Sequence, residues 1–283
     1  QERHEELSNV ELVSITNLGE IDFNKPEYRK SFFFNSLFVS ANTRAVANSN
    51  DGDYVPIILS EIPQLFRKGI LPIDVAMVQV SPPDAHGYCS LGTSVDIARS
   101  AVDTAKKVIA QVNPNMPRTH GDGFLHISKI SAMVWDESSL PELDYTEKVS
   151  NSVEKIGSHV ASLIEDGACL QMGIGVIPDQ VLKNLGNHKD LGLHTEMLSD
   201  GVIPLLEKGV INNSRKKLNI GRSVTGFMVG TRKLYDFVHD NPSVRVVDIA
   251  YVNDTSNIRK NSRATAINSA IEIDLTGQFC ADS

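Results

Sequence analysis

The chain contains 283 residues, of which 41% are apolar and 22% are charged. These proportions are ordinary for a soluble globular protein and exclude disorder as the dominant state. The formal net charge of −8, without any Lys/Arg-rich stretch, argues against a nucleic-acid partner, and no apolar run approaches the roughly 20 residues that a membrane-spanning helix requires.

Strand-like and helix-like segments alternate along the first half of the chain, which is typical of an α/β fold. Continuous apolar runs predict strands, and apolar residues three and four apart predict helices. In chain order we expect a strand at 10–16, a turn and short helix at 57–67, a strand at 75–80, a helix at 94–106 and a strand at 107–112. The strand at 75–80 is expected to be buried on both faces.

The polar, acidic and proline-containing segment 136–145 predicts a domain boundary, with one domain at 1–140 and another at 146–283. An apolar stripe from Val149 to Ile164 predicts a helix that Gly167 ends. The rest of this half is predicted to hold a strand at 168–172, a glycine-rich loop at 173–177, a helix at 178–185, a strand at 191–195, a strand at 225–229, a helix at 231–239, a strand at 245–249 and an alternating strand at 267–275.

The cysteines and histidines lack the spacings of a disulfide framework or a metal site. Cys89, Cys169 and Cys280 are odd in number without a CxxC pair, which favours inert thiols in a reducing compartment. The eight histidines form no HxxxH or HExxH motif, so no metal is expected. No signal peptide follows the charged run 1–6, and we expect a cytoplasmic fragment that is cut at both ends.

The loop Gly173-Ile174-Gly175-Val176-Ile177 follows a predicted buried strand. Its two glycines let the backbone approach a ligand, and Pro178 suits the first helical position. The free amides of a helix start favour an anion, but the same glycines also fit a plain strand–helix turn. A dinucleotide site stays open as well, because Glu196 has the spacing of a ribose-binding acid, although Pro178 replaces the third glycine of GxGxxG.

Glu196 is predicted to lie at the carboxyl end of the next strand. In an open α/β sheet such strand ends form the ligand crevice, so this carboxylate is a candidate nucleophile. The alternative is a helix cap or a surface ion pair.

Four motifs together resemble the class I CoA-transferases, in particular their acetyl-CoA hydrolase/transferase branch with the 4-hydroxybutyrate and butyryl-CoA:acetate CoA-transferases. The motifs are GIGVIP at 173–178, HTEMLSDG at 194–201, SPPDAHGYCSLG at 81–92 and VIAQVNPNMPRTHGD at 108–122. The resemblance covers nearly the whole chain. It implies two open, mostly parallel-sheet α/β domains of the CoA-transferase type. The second domain is expected to be truncated, because the resemblance implies a GGQ-type segment beyond Ser283. A homodimer is expected as well.

The resemblance also implies a covalent mechanism in which Glu196 is the catalytic residue. Its carboxylate would attack an acyl-CoA, carry CoA as a glutamyl thioester and pass it to a second carboxylate. Gly173, Ile174, Gly175, Val176 and Ile177 would form the CoA-binding loop. Asn268 would hold CoA through its amide, or alternatively pair with the backbone. CoA would then be a co-substrate, with no tightly bound cofactor.

The expected partners are a short-chain acyl-CoA (4-hydroxybutyryl-, butyryl- or acetyl-CoA) and a free carboxylate such as acetate. Two other functions remain open besides dinucleotide binding: an acyl-CoA hydrolase on the same site, and a non-catalytic CoA- or ligand-sensing module. Arg118, His120 and Asp122 either line the acyl pocket or form a hydrogen-bonded loop.

Overall fold

A computed structural model describes residues 3–16, 18, 25–144 and 149–281 of the chain. The chain divides into two compact units, Gln1–Ile62 and Pro63–Ser283. The domain boundary predicted at 136–145 falls inside the second unit, and residue 145 lies outside the described residues. That boundary stays a prediction.

The first unit is built on a small parallel sheet. Its elements are β1 (Val10–Ser14), β2 (Phe32–Ser36), α1 (Arg44–Ala47) and β3 (Gly52–Tyr54), with 3₁₀ turns at His4–Glu6, Pro26–Tyr28 and Leu59–Glu61. The strand order is β1-β2-β3, which confirms the strand predicted at 10–16. A Cβ atom on Gly52 would lie 2.7 Å from the Phe34 carbonyl oxygen, so a glycine is what lets these strands approach each other.

The remaining elements follow in chain order. They are α2 (Ile62–Arg67), β4 (Val75–Val80), β5 (Tyr88–Ser90), α3 (Ala98–Thr104), β6 (Lys107–Val112), β7 (His120–Gly121), β8 (Phe124–His126), β9 (Ala132–Trp135), α4 (Asn151–Ser162), β10 (Cys169–Met172), α5 (Val176–Lys183), β11 (Gly192–Leu193), β12 (Met197–Leu198), α6 (Ile203–Glu207), β13 (Ser223–Thr225), β14 (Phe227–Met228), α7 (Arg232–Val238), β15 (Val244–Val246), α8 (Ile249–Val252), α9 (Thr255–Ile258), β16 (Ala264–Ile267), β17 (Glu272–Ile273) and β18 (Phe279–Cys280).

Most strand pairs of the second unit are parallel, which confirms the predicted α/β fold with mostly parallel sheets. In the described part of the chain, the three-stranded sheets have the orders β4-β6-β9, β11-β10-β16 and β13-β15-β7, all parallel. The pair β12-β14 is also parallel, whereas β5-β8 and β17-β18 are antiparallel. No described helix combines the length and the apolar character needed to cross a bilayer.

The sheet β4-β6-β9 buries one face only. Val108, Ala110 and Val112 of β6 are buried in the core, and alternate side chains of a strand point to opposite faces. On the other face, Met77 of β4 is 72% exposed. The prediction that strand 75–80 is buried on both faces is therefore wrong, although its bounds are confirmed.

Three predicted helices have different ends. The helix expected at 94–106 is shortened to α3, because the amides of Val95 and Asp96 bond to the Gly226 carbonyl instead of starting a helix. Helix α4 ends at Ser162, so Gly167, with a φ of +78°, forms the turn into β10. Helix α5 begins at Val176 rather than at residue 178, because the positive φ of Gly175 makes the bend earlier.

Several predicted strands differ from expectation. The strand at 191–195 is reduced to β11, Gly192–Leu193. The strand at 225–229 is split into β13 and β14 at Gly226, whose amide donates to the Glu196 carbonyl at 3.0 Å. The strand at 245–249 ends at Val246, and Ile249 begins α8. The strand at 267–275 is wrong, because β16 ends at Ile267 and the chain then forms the β17-β18 hairpin.

Candidate active site

The carboxyl ends of β16, β10 and β11 lie side by side at one edge of their sheet. β10 pairs in parallel with both neighbours. The β10-β16 register pairs Met172 with Ile267, so Gly173 and Asn268 follow at the same level on neighbouring strands. On the other side, β11 ends at Leu193, and the chain bends at Glu196, three residues beyond the carboxyl end of that strand. This is the edge at which open α/β sheets bind ligands.

A buried threonine fastens two of these chain segments together. The Thr195 hydroxyl accepts a hydrogen bond from the Met172 amide at 2.9 Å and lies 3.1 Å from the carbonyl oxygens of Met172 and Met197. Thr195 is fully buried. Glu196 follows Thr195 directly, and Gly173 follows Met172. The contact therefore brings the backbone of Glu196 next to the beginning of the glycine loop.

The Glu196 backbone is held on its other side by β13 and β14. Its carbonyl oxygen accepts hydrogen bonds from the Gly226 amide at 3.0 Å, the Phe227 amide at 3.3 Å and the Thr225 hydroxyl at 3.1 Å. Its half-buried side chain accepts a hydrogen bond at Oε2 from the Asn253 carboxamide at 2.6 Å. In the described part of the chain, no ion pair involves this carboxylate.

The glycine loop is tight at its first glycine and open at its second. The Gly173 amide donates to the Ile267 carbonyl at 2.7 Å, and a Cβ atom there would lie 3.0 Å from that oxygen. Gly175 has a φ of +113° with open space where a Cβ would point. Val176 and Ile177 belong to the first turn of α5, where backbone amides have no intrahelical acceptor. Their amides are therefore available to an anionic or polarised oxygen.

Asn268 pairs with a side chain of the neighbouring strand. Its Nδ2 donates to Gln171 Oε1 at 3.0 Å, and the Gln171 amide returns a longer contact of 3.3 Å to Asn268 Oδ1. Asn268 is exposed, and its Oδ1 would lie 2.9 Å from a Cβ atom on Gly173, so this amide lies beside the first glycine of the loop. The backbone pairing considered from the sequence is not the contact that this side chain makes.

Sequence reasoning missed two residues of this site, Asn253 and His194. Asn253 lies 57 positions after Glu196, in a segment without a recognisable motif. Buried His194 donates from Nε2 to the Val252 carbonyl at 2.7 Å, and burial lowers the pKa of its imidazole. Neither contact has a local signal, because each depends on how α8 packs against the end of β11.

The cluster Arg118, His120 and Asp122 is engaged in structural contacts. Arg118 forms an ion pair with Asp84 at 2.8 Å, and His120 lies 2.9 Å from Asp240. The Asp122 carboxylate accepts a hydrogen bond from the Asp248 amide at 3.2 Å. These contacts agree with the hydrogen-bonded loop.

A cavity of about 670 Å³ lies at the opposite edge of the sheet β11-β10-β16. Its lining comes from the segments before these strands and from the loop that precedes β13, and it is rich in charged side chains: Asp166, Gly167, Asp190, Ser214, Arg215, Lys216, Lys217, Ile220, Ser262 and Arg263. Burial lowers the pKa of Lys216 to about 8, and its Nζ donates to two backbone carbonyls at 2.7 Å. Because the cavity is at the amino ends of the strands, it is not part of the Glu196 site.

No described cluster of three or more His, Cys, Asp or Glu is placed to hold a metal.

Comparison with known families identifies the chain. The model of the acetyl-CoA hydrolase/transferase N-terminal domain matches residues 1–144, and the model of the C-terminal domain of the same family matches residues 230–283. The chain belongs to the acetyl-CoA hydrolase/transferase family. The family resemblance predicted from the four motifs is thereby confirmed.

Several family members resemble the chain over most of its length. It is 48% identical to a 4-hydroxybutyrate coenzyme A transferase of Clostridium kluyveri, over 97% of this chain and 64% of that protein. It is 47% identical to a succinyl-CoA:acetate/propanoyl-CoA:succinate CoA transferase of Fasciola hepatica, over 98% of this chain and 58% of that protein. The chain thus spans about three fifths of the length of these relatives.

Solved structures of related proteins have the same fold. RipA from Yersinia pestis is 33% identical with a TM-score of 0.92, over 99% of this chain and 67% of that one. A 4-hydroxybutyrate CoA-transferase from Porphyromonas gingivalis is 36% identical with a TM-score of 0.82, over 96% of this chain and 72% of that one.

Proposed function

We propose that the protein is a CoA-transferase that moves CoA between a short-chain acyl-CoA and a free carboxylate, with Glu196 as the nucleophile. The observation that carries this proposal is the position of Glu196. Its carboxylate is half-buried, bound by an amide rather than an ion pair among the described residues, and attached to the glycine loop through the Thr195–Met172 contact. A carboxylate in a surface ion pair would be a poor nucleophile, because its charge would already be neutralised.

The proposed reaction proceeds in two exchanges at Glu196. A carboxylate oxygen attacks the acyl-CoA carbonyl carbon, the carbon–sulfur bond breaks, and CoA leaves as a thiolate. The thiolate then attacks the Glu196 carboxyl carbon of the resulting anhydride, and the acyl group leaves as a free carboxylate. The glutamyl-CoA thioester reacts with the second carboxylate by the same steps in reverse, which regenerates Glu196.

The glycine loop supplies backbone donors for this chemistry in our proposal. The residues assigned to CoA binding are Gly173, Ile174, Gly175, Val176, Ile177 and Asn268. First-turn amides of α5 would donate to the thioester oxygen as it becomes an oxyanion, an interaction worth about 3 kcal/mol in other enzymes. CoA is a co-substrate in this proposal.

We propose 4-hydroxybutyryl-, butyryl- or acetyl-CoA as the donor and acetate as an acceptor. The names of the relatives support this class, because they cover 4-hydroxybutyrate, succinyl-CoA and butyryl-CoA transferases. The expected homodimer and cytoplasmic location stay predictions.

Covalent trapping tests the proposal. The full-length protein is incubated with acyl-CoA, treated with borohydride or hydroxylamine, and digested for peptide mapping. We expect the modification on Glu196, and we expect Glu196→Gln to lose exchange activity by several orders of magnitude while CoA still binds. Glu207→Gln, at the exposed end of α6, is the matched control and should retain activity.

Three outcomes contradict the proposal or refine it. Modification of another residue, or full activity of Glu196→Gln, would refute Glu196 as the nucleophile. If free CoA is released and added acetate yields no acetyl-CoA, the protein is a hydrolase that uses the same site.

A further inference from the structure

A buried side-chain contact joins the helix after the glycine loop to the chain after Glu196. The Ser199 hydroxyl donates to Asp179 Oδ1 at 2.7 Å, and both residues are buried. Asp179 lies in the first turn of α5, two residues after Ile177, and Ser199 lies three residues after Glu196. We propose that Asp179 and Ser199 are positioning residues, which hold the first turn of α5 at a fixed place relative to Glu196. This inference rests on the proposed function.

This contact and the Thr195–Met172 contact enclose the site along both chain segments. Thr195, directly before Glu196, is bonded to Met172, directly before the glycine loop. Ser199, after Glu196, is bonded to Asp179, after the loop. The loop amides and the Glu196 backbone therefore lie on two segments that are joined on each side of the site. A single contact would leave the segments free to turn about it, whereas two directional hydrogen bonds also fix their relative orientation.

The 3₁₀ turn Asp200–Val202 lies close against Asp179. A Cβ atom on Gly201 would lie 3.2 Å from Asp179 Oδ1, so the turn and the carboxylate are in close contact. Helix α5 is also held by apolar packing, since Leu182 is fully buried in the core. Apolar packing has no directional preference, whereas the hydrogen bond to Asp179 fixes one atom of the first turn.

The carboxylate of Asp179 is unfavourable to bury without a donor. Burial raises the pKa of Asp179, and the hydrogen bond from Ser199 opposes this shift. A buried carboxylate that loses its donor is destabilised strongly, and hydrogen bonds to ionised groups are stronger than those between neutral groups. Separation of Ser199 from Asp179 is therefore disfavoured more than separation of two neutral side chains would be.

The contact should affect the reaction rate more than CoA affinity. In the proposed reaction, the thioester oxygen becomes an oxyanion only when Glu196 attacks, so the first-turn amides of α5 must be aligned at that moment. A misplacement of about 1 Å can cost up to about 100-fold in rate. A residue with a merely structural role would instead lower the free energy of unfolding and leave the rate of the folded protein unchanged.

A double-mutant cycle on the reaction rate tests the pair. The full-length protein is mixed with acyl-CoA, and formation of the CoA adduct on Glu196 is followed by mass spectrometry, together with CoA affinity and urea denaturation. The variants are Asp179→Ala, Ser199→Ala and the double variant. Asp179→Asn keeps an oxygen that can accept the Ser199 hydroxyl. Ser100→Ala is the matched control, because Ser100 is also buried and its hydroxyl donates to the Ile97 carbonyl at 2.8 Å.

We expect each single alanine variant to form the adduct about 10- to 100-fold more slowly, with a smaller change in CoA affinity. The double variant should be no slower than the slower single variant, because the two residues act through one contact. Asp179→Asn should retain most of the rate, and Ser100→Ala all of it. If Asp179→Ala does not fold, a slow Ser199→Ala beside a nearly wild-type Asp179→Asn still supports the pair.

Several results would overturn the inference. They are a wild-type rate in Ser199→Ala, additive losses in the double variant, and a loss in Ser100→Ala as large as that in Ser199→Ala. A wild-type protein that forms no adduct on Glu196 would refute the proposed function itself, and the positioning role with it.

Discussion

Replacing Gly157 with alanine tests how closely α4 must pack on α5. Gly157 is buried in α4, and a Cβ atom there would lie 2.8 Å from Gln180 Cβ and 2.9 Å from the Gln180 carbonyl carbon and oxygen. Ordinary contact begins at 3.4 Å, so the helices must separate by 3.4 − 2.8, or about 0.6 Å. Because two of the three atoms are backbone atoms of α5, a side-chain rotation cannot relieve the contact.

Two opposing free energies set the size of this effect. Overpacking a close contact costs about 1–3 kcal/mol, whereas alanine is about 1 kcal/mol more favourable than glycine in a helix. We therefore expect the free energy of unfolding to fall by up to about 2 kcal/mol. Since α5 begins at the glycine loop, its displacement should also weaken CoA binding if the proposed function is correct.

Urea denaturation measures the stability of Gly157→Ala against a matched variant, Ser158→Ala. Ser158 is the next residue of α4 and is exposed, so this control gains helix propensity without a new contact. A Gly157→Ala protein that is as stable as Ser158→Ala would refute the packing argument, because the inserted methyl group would then have cost nothing.

Two further predictions concern the surroundings of the site. Burial raises the pKa of Asp96 from 3.8 to about 6. The unfolded chain therefore loses this proton at a lower pH than the folded protein does, and the free energy of unfolding should fall by about 2 kcal/mol as the pH rises from 4 to 6. Asp96→Asn should abolish that part of the decline, and parallel denaturation profiles of the two proteins from pH 4 to 7 would contradict it. In Gly175→Ala the new methyl group meets no neighbouring atom, but the alanine must adopt a φ of +113°. We expect the free energy of unfolding to fall by about 1–3 kcal/mol and CoA binding, measured by calorimetry, to weaken. An unchanged affinity would show that this backbone conformation is not needed for binding.

Local patterns predicted many of the elements that surround the site. The apolar runs at 75–80 and 107–112 are strands with the predicted bounds, and α7 falls within the helix predicted at 231–239. The ends of helices and strands were less predictable where a glycine changes the direction of the chain. Gly226 and Gly175 each redirect the chain through contacts or dihedral angles that the neighbouring residues do not reveal.

The burial of faces is likewise a tertiary property. A continuous apolar strand resembles one that is covered on both sides, and Met77 contributes to that pattern although it is 72% exposed. Alternation within the strand cannot tell which face another layer covers.

Four motifs in the amino-acid order were enough to reveal the family of this protein and to single out Glu196 and the loop after β10. Packing alone decided that Asn253 donates to Glu196, that Thr195 joins the two strand ends, and that Gln171 rather than the backbone pairs with Asn268. The physical reason is the distance along the chain over which each kind of interaction acts. Periodicity and turn residues report the conformation of the chain over a few neighbours, whereas a hydrogen bond between residues 57 positions apart exists only after whole helices and strands have settled against one another.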